Sequence, residues 1–455
     1  MKVAFVASEA IPYAKTGGLA DVVGTLPVHL KNLGIRTALF LPKYKGINGT
    51  LVDTLNIDMS TRYTVHVYAD GDAYFIDYPK FFGRDGLYGT QKGDFPDNCE
   101  RYTLFCKAVA ELIKRDRYDI VHCHDWQAGL IPLYLKSEDA AAKSVFTIHN
   151  LGYQGIFPQG KFSLLGLGKE YFNPEGIEFY GDINFLKAGI LYSDVVTTVS
   201  ENYAKEIQTP ELGFKLDGVL RKRKDKLIGI LNGIDYNMWN PETDDLIYQK
   251  YDDFEGKQRN KIGLTKACHI DPQKPLIGMV SRIADQKGFD ILFKVFDDVM
   301  RIGYNFVLLG FGEEEYHQKL KKYESVYPCR VSVNIKFDNK LAHRIYAGSD
   351  FFLMPSRYEP CGLGQLISLK YGTVPVVRRT GGLADTVTEF DLSTRSGNGF
   401  LFQQYVGRDL LDALLRGRET FRHRDIFRTL SENGTKYNFS WEASAKKYRR
   451  LYKSL

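Results

Sequence analysis

Thr16-Gly17-Gly18-Leu19-Ala20-Asp21 recurs, residue for residue, as Thr380-Gly381-Gly382-Leu383-Ala384-Asp385. A cation stands directly before each copy, Lys15 in the first and Arg379 in the second, and each copy follows an apolar, strand-like run. Paired glycines let a backbone approach a ligand with no Cβ in the way. A helix starting there offers N–H groups and the positive end of its dipole to an anion. The repetition reads as a shared strand-to-helix turn, or as two domains that each aim a glycine-rich helix start at one common cleft. It matches neither GxxxxGK[ST] nor GxGxxG, so neither a P-loop nor a nicotinamide fingerprint is present. The lone Gly310-Phe311-Gly312 is assigned to turn geometry.

Outward from these turns, short apolar runs alternate with longer amphipathic segments. Strands are expected at residues 3–7, 37–41, 120–123, 144–148, 195–199, 227–231, 276–280, 306–309, 351–354 and 374–377. Several are β-branched and apolar without alternation, as in parallel sheets covered on both faces. The segments between them read as helices. In residues 97–115, Tyr102, Phe105, Cys106, Val109, Leu112 and Ile113 recur at helical spacing. This is α/β grammar, with too many strands for one doubly wound sheet. A break is expected at Asn237-Met238-Trp239-Asn240-Pro241, where polar residues and a proline follow a strand. Two doubly wound domains follow, residues 1–236 and 241–437. A terminal helix over 438–455 joins the first. Ser440 is its expected N-cap, and Trp441, Ala445, Tyr448 and Tyr452 form its docking stripe.

Composition agrees. A chain of 455 residues suits two or three domains, and 44% hydrophobic with 25% charged residues excludes wholesale disorder. A formal charge of +6 is too small to imply nucleic-acid binding, but is compatible with a local site for an anionic small molecule. The six cysteines form no CxxC pair, so reduced thiols in a cytoplasmic protein are expected. The apolar start halts at Ser8-Glu9, short of a signal peptide, and no window suits a membrane helix. The basic run Arg221-Lys222-Arg223-Lys224-Asp225-Lys226 reads as a solvated loop. No feature sets an oligomeric state.

Four clusters could carry chemistry, each at the end of an expected strand. The first is Lys15 with Gly17 and Gly18. The second is Arg282 with Lys287, a planar fork and a point charge suited to a diphosphate. The third joins His122-Cys123-His124-Asp125 to His149-Asn150. Here Asp125, His149 and Asn150 read as contacts for a polyhydroxyl ligand. His122 and His124 are expected to diverge to opposite sides of their strand with no carboxylate partner, so no metal is expected. The fourth is Glu359-Pro360-Cys361-Gly362-Leu363, where a carboxylate could face a sugar and stabilise positive charge at its anomeric carbon. Cys361 reads as a packed thiol rather than a nucleophile. No GxSxG elbow is present. Neither Asp252-Asp253 nor Asp297-Asp298, the latter inside a helical pattern, reads as a metal-binding pair.

With these clusters in place, the chain resembles the bacterial glycogen synthases and plant starch synthases. The matching text is residues 10–19, His122–Trp126, Thr147–Leu151, Leu231–Asp235, Ser281-Arg282, Gln286–Gly288, Arg357–Leu363 and the second Thr-Gly-Gly-Leu, in the family's order. The resemblance implies a GT-B fold, two Rossmann-like domains facing across a deep cleft. It implies ADP-glucose as donor, the 4-hydroxyl at the non-reducing end of an α-1,4-glucan as acceptor, retention of configuration, and no cofactor or metal. It assigns catalytic roles to Glu359, Asp125, His149, Arg282 and Lys287. Arg282 and Lys287 would hold the diphosphate, His149 the donor glucose, Asp125 the sugar hydroxyls, and Glu359 would face the sugar. Substrate contacts would come from Lys15, Gly17, Gly18, Asn150, Asn232, Phe337, Cys361, Gly362, Leu363, Thr380, Gly381 and Gly382, with Phe337 against adenine. Three positions depart from related patterns. Gln127 replaces a His of some bacterial members, Gly364 replaces a Thr, and Ile367 replaces the second Glu of the Glu-x7-Glu pattern of other retaining GT-B enzymes. Rival readings are another nucleotide-sugar glycosyltransferase and a catalytically silent glucan- or nucleotide-binding protein.

Overall fold

A computed structural model describes residues 1–90 and 93–455. The chain divides into two units, Met1–Leu231 with Trp441–Leu455, and Asn232–Ser440. The division falls upstream of the expected break, because Ile234, Tyr236 and Trp239 pack into an apolar cluster of the second unit. There the Ile234 N–H donates to the Phe439 carbonyl at 2.9 Å.

The first unit is built on nine strands: β1 (Lys2–Val6), β2 (Arg36–Pro42), β3 (Thr50–Asp58), β4 (Arg62–Asp70), β5 (Ala73–Asp77), β6 (Ile120–His124), β7 (Lys143–Ile148), β8 (Val195–Thr198) and β9 (Leu227–Gly229). Their order in the sheet is β9-β8-β7-β6-β1-β2-β5-β4-β3. Strands β9 to β5 are parallel, while β3 and β4 run antiparallel at one edge. That edge corrects the expectation that helices fill the gaps between strands. In β4, Arg62-Tyr63-Thr64-Val65-His66-Val67, alternation buries Val65 and Val67 and leaves their neighbours partly or fully exposed, the pattern of a half-buried strand. In β1, by contrast, Val3 to Val6 are fully buried, as a central parallel strand requires. Helix α1 (Gly18–Asn32) follows β1, and α2 (Asn98–Arg115) precedes β6, burying the expected apolar face. The C-terminal helix Trp441–Lys453 packs on α1 and buries Trp441, Ala445, Tyr448 and Tyr452, the expected stripe. A small antiparallel sheet of Ile156–Pro158, Glu178–Phe179 and Asp182–Asn184 is inserted after β7.

In the second unit the strands are β10 (Leu276–Ile283), β11 (Asn305–Gly312), β12 (Val331–Ile335), β13 (Phe351–Met354), β14 (Val374–Arg378) and β15 (Phe400–Phe402). All are parallel, in the order β12-β11-β10-β13-β14-β15. In sequence rank this is 3-2-1-4-5-6, the doubly wound order in which ligands bind beyond the strand carboxyl ends where winding reverses. The reversal lies between β10 and β13 here, and between β1 and β6 in the first unit. Four helices matter for the site or its support: α3 (Phe254–Ala267), α4 (Phe289–Arg301), α5 (Gly364–Lys370) and α6 (Gly381–Thr386). In α4, Phe289, Leu292, Val295, Phe296, Val299 and Met300 form the buried face. Asp253 caps α3, accepting the Gly256 N–H at 2.6 Å, and Asp297-Asp298 lie within α4.

A buried ion pair supports the far ends of the two switch-point strands. Lys261 of α3 lies 2.7 Å from Asp350, and both side chains are almost wholly excluded from solvent. Asp350 precedes β13, and its carboxylate accepts the first N–H of β10, that of Leu276, at 2.8 Å. Breaking a buried pair leaves an uncompensated charge. Lys261→Ala is therefore expected to cost about 3–5 kcal/mol. Its denaturant midpoint should fall well below wild type in equilibrium unfolding.

Candidate active site

Every expected cluster lies at a strand carboxyl end, and most flank a point where winding reverses. In the second unit, Arg282 stands in the last residues of β10, the loop after that strand carries Gln286, Lys287 and Gly288, and the loop after β13 carries Ser356 to Leu363. The loops are stitched together. The Arg357 N–H donates to the Gln286 carbonyl at 2.9 Å, and Gln286 Nε2 donates to the Tyr358 carbonyl at 3.1 Å. Lys287 Nζ donates to Glu359 Oε2 at 2.6 Å, and Ser356 Oγ donates to the same oxygen at 2.8 Å. Gly288 opens α4 at φ 78°, where a Cβ would sit 2.0 Å from the Pro355 carbonyl oxygen, so glycine is required. Arg282 is exposed, and its Nη2 donates to Gln286 Oε1 at 3.2 Å.

The second Thr-Gly-Gly turn packs against this loop. A Cβ on Gly381, at φ 44°, would meet the Glu359 carbonyl oxygen at 1.9 Å, and one on Gly382 would meet that of Cys361 at 2.1 Å. The Gly382 N–H donates to the carbonyls of Glu359 and Pro360, and Thr380 is buried beside it. Cys361 is buried, and burial pushes its thiol up to about 12, consistent with a packed thiol. Gly362 (φ 71°) and Leu363 lead into α5, which begins at Gly364. Asn232 is buried, with its side-chain oxygen unpartnered among the described residues. Phe337 stands beyond β12, 91% exposed.

In the first unit the two copies of the turn part ways. A Cβ on Gly17 or Gly18 would meet no atom within 4 Å, so packing does not demand these glycines. Two N–H groups just ahead of α1 are already engaged within the unit. The Glu9 carboxylate accepts the Thr16 N–H at 2.5 Å, the Thr16 hydroxyl at 2.6 Å and the Gly17 N–H at 3.1 Å. Tyr88 donates to it at 2.5 Å. An internal carboxylate thus holds part of the positive end of α1. Lys15 pairs with Asp21 at 2.6 Å. Sequence reading missed Glu9, although an acid directly after an apolar strand was a visible signal. Tyr88 lies 79 residues away and gave none.

Asp125, just past β6, sits at φ 55°. Its Oδ1 accepts the His149 N–H at 2.7 Å, and the Asn150 N–H also donates to it. Burial pushes its carboxyl up to about 7 against those bonds. His149 is driven down to about 3 by burial, and His122 and His124 are held well below the usual imidazole range for the same reason. The divergence expected of His122 and His124 is wrong. Residues two apart in a strand share a face, and these rings lie 4.2 Å centre to centre. His124 Nδ1 and His149 Nε2 share a hydrogen bond of 2.9 Å. His122 bonds the Tyr452 hydroxyl at 2.7 Å and the Thr147 hydroxyl at 2.5 Å. Among the described residues, no group of three His, Cys, Asp or Glu side chains is placed to hold a metal ion, and no helix is long and apolar enough to cross a membrane. Gln127 is buried, its backbone carbonyl accepting from Cys106 Sγ at 3.2 Å.

Each Rossmann-like unit gathers cations and polar side chains where its winding reverses. Comparison with known proteins supplies the class, a glycosyltransferase of the GT-B fold. Family models described as starch synthase catalytic domain and glycosyl transferases group 1 match residues 2–222 and 264–422. Glycogen synthase of Koribacter versatilis is 47% identical over 99% of this chain and 98% of its own length. That of Thermodesulfovibrio yellowstonii is 43% identical over 100% and 98%. The catalytic domain of Arabidopsis thaliana starch synthase IV, solved with ADP and acarbose, superposes with a TM-score of 0.89 at 32% identity, covering 100% of this chain and 99% of that one. Sucrose-phosphate synthase of Thermosynechococcus elongatus shares the fold, with a TM-score of 0.65 at 18% identity and coverage of 100% and 98%. The chain belongs to the glycogen synthase family and is a glucosyltransferase.

The buried groups beside Asp125 set a pH signature. A carboxyl raised from about 4 to about 7 holds its proton longer in the native state, so it contributes stability at low pH that is lost as pH rises across that window. His149, lowered to about 3, opposes it, adding stability as pH rises towards about 6.5. Asp125→Asn removes the first effect and keeps the second, which the low-lying His122 and His124 reinforce. Stability of this variant should climb more steeply than wild type between pH 4 and 7, as followed by denaturant midpoints.

Proposed function

We propose that this enzyme transfers glucose from ADP-glucose to the 4-hydroxyl at the non-reducing end of an α-1,4-glucan such as glycogen, with retention of configuration. The observation that carries the residue assignment is the 2.6 Å contact of Lys287 with Glu359 at the switch point of the second unit. One short contact joins a cation suited to a diphosphate and a carboxylate suited to a sugar. The relative solved with ADP supports an adenine-nucleotide donor. Six cysteines, with no disulfide among them, suit the cytoplasm.

In this reading Arg282 and Lys287 take up the charge that develops on the departing diphosphate, as preorganised cations do in a partly dry site. Lys15, Gly17 and Gly18 in the first unit, and the turn of Thr380, Gly381 and Gly382 in the second, are assigned substrate contacts. Phe337 lies against the adenine, and Cys361, Gly362 and Leu363 present backbone to the nucleotide sugar. Glu359 faces the glucose and steadies positive charge at its anomeric carbon. Asp125, His149, Asn150 and Asn232 hold hydroxyls of donor and acceptor. The acceptor O4 bonds to C1 on the face from which the diphosphate departs, the C1–O bond to phosphate breaks, and the acceptor proton passes to a phosphate oxygen. Glu359 is held by Lys287 and Ser356, an arrangement suited to a fixed charge rather than a nucleophile.

Labelled ADP-glucose should enter glycogen in preference to UDP-glucose run in parallel, and absence of incorporation would overturn the reading. Arg282→Ala and Lys287→Ala should keep the fold by circular dichroism and lose about 3–4 kcal/mol of transition-state stabilisation, as when one oxyanion donor is removed. The corresponding fall in kcat is two to three orders of magnitude, and near-wild-type turnover would remove the assignment.

A further inference from the structure

Three non-glycine residues of the first unit adopt left-handed backbone conformations in two loops that meet: Tyr180 (φ 53°), Phe214 (φ 46°) and Lys215 (φ 67°). Such conformations are costly for bulky residues and persist where the surroundings enforce them, often at ligand clamps. Tyr180 stands at the tip of the small antiparallel sheet, where Glu178 Oε1 accepts the Gly181 N–H at 2.6 Å. Lys215, from the other loop, brings its ammonium 5.1 Å from the centre of the Tyr180 ring. The Phe179 ring packs edge-on at 4.9 Å. Beneath, a chain of amides ties the loops together. Asn184 Nδ2 donates to Gln154 Oε1 at 2.7 Å, and Gln154 Nε2 donates to the Phe214 carbonyl at 2.9 Å. Yet the Tyr180 side is left 75% exposed, and Tyr153, next to Gln154, is also exposed.

An aromatic ring held this firmly and left this open is arranged for a partner. A pyranose is chemically matched to it, since one face of the sugar is a patch of C–H groups and its rim is hydroxyl. Lys215, with its ammonium 5.1 Å from the ring centre, and the Glu178 carboxylate, which accepts the N–H of the neighbouring Gly181, offer hydrogen-bonding groups near the ring. The chain is continuous from this surface to the candidate site, because Tyr153 lies three residues beyond Asn150 and its N–H donates to the Asn150 carbonyl at 3.2 Å. We propose that Tyr180, with Tyr153 and Lys215, forms a docking platform for an α-glucan chain, gripping glucose units remote from the one that receives the new bond. The proposal rests on the reading of a glucan acceptor given above.

Electrophoresis in gels containing glycogen tests it without catalysis. Wild type should be retarded as glycogen is added. Tyr180→Gly, which suits the left-handed backbone, should bind about tenfold more weakly while its melting temperature stays equal or rises. Tyr180→Phe, which keeps the ring face, should bind within about twofold of wild type. Unretarded wild type, or retardation of Tyr180→Gly equal to wild type, overturns the platform. So does a fall in the melting temperature of Tyr180→Gly that accompanies lost retardation, since Tyr180 would then be a packing residue. Glucose transfer by wild type, assayed separately, shows whether the underlying functional reading stands.

Discussion

The parallel pairing of β10 with β13, through Ile277–Phe351 and Gly278–Phe352, is the constraint from which the second unit's chemistry follows. Their sequences are separated by two whole strands, yet the pairing sets the loops beyond both carboxyl ends side by side. Once there, the loops have little freedom. Gly278 is needed because a Cβ would strike Ser349, and Gly288 because one would strike Pro355. Gly381 and Gly382 let the next turn close on Glu359 and Cys361. The Lys287–Glu359 contact is the product of this crowding. Its partners are positioned by backbone packing, so little side-chain entropy remains to be lost when a substrate arrives.

The first unit reaches a similar end by different means. Its glycine turn opens on space rather than on packed carbonyls, and a carboxylate of its own, Glu9, holds the N–H groups of Thr16 and Gly17. An identical six-residue motif therefore serves two environments, one where absence of a Cβ permits backbone packing and one where it leaves room. Around Asp125, burial dominates the electrostatics. The imidazoles of His122, His124 and His149 stay neutral and linked to their neighbours, and a carboxyl that accepts two N–H groups is nevertheless raised. Tyr452 of the C-terminal helix closes this layer against His122, which gives the terminal stripe of aromatic residues a place in supporting the site.

Much of this was legible in the chain. Unbroken apolar runs such as Val3-Ala4-Phe5-Val6 identify strands buried on both faces, and the spacing of Trp441, Ala445, Tyr448 and Tyr452 identifies a docked helix. Strand, then glycine or charge, then helix is a local rule, so it places Arg282, Lys287, Asp125, His149 and Glu359 at strand ends. The antiparallel strands β3 and β4 were equally legible in their alternation, Tyr63-Thr64-Val65-His66-Val67, but a reading tuned to parallel strands passes over them.

What the sequence by itself determined is the type of the central strands and of the helices with clear periodicity, the α/β class, the doubling of the domain, and the strand end on which each charge falls. These depend on periodicity and turn chemistry within a few residues. Only the tertiary structure decided that Lys287 meets Glu359 and Ser356, that Glu9 and Tyr88 attend the first glycine turn, that His122 and His124 stack on one face, and that burial moves Asp125 and His149 in opposite directions. Those outcomes depend on which strands become neighbours and on how much water their packing excludes, both set by contacts between residues far apart in the chain.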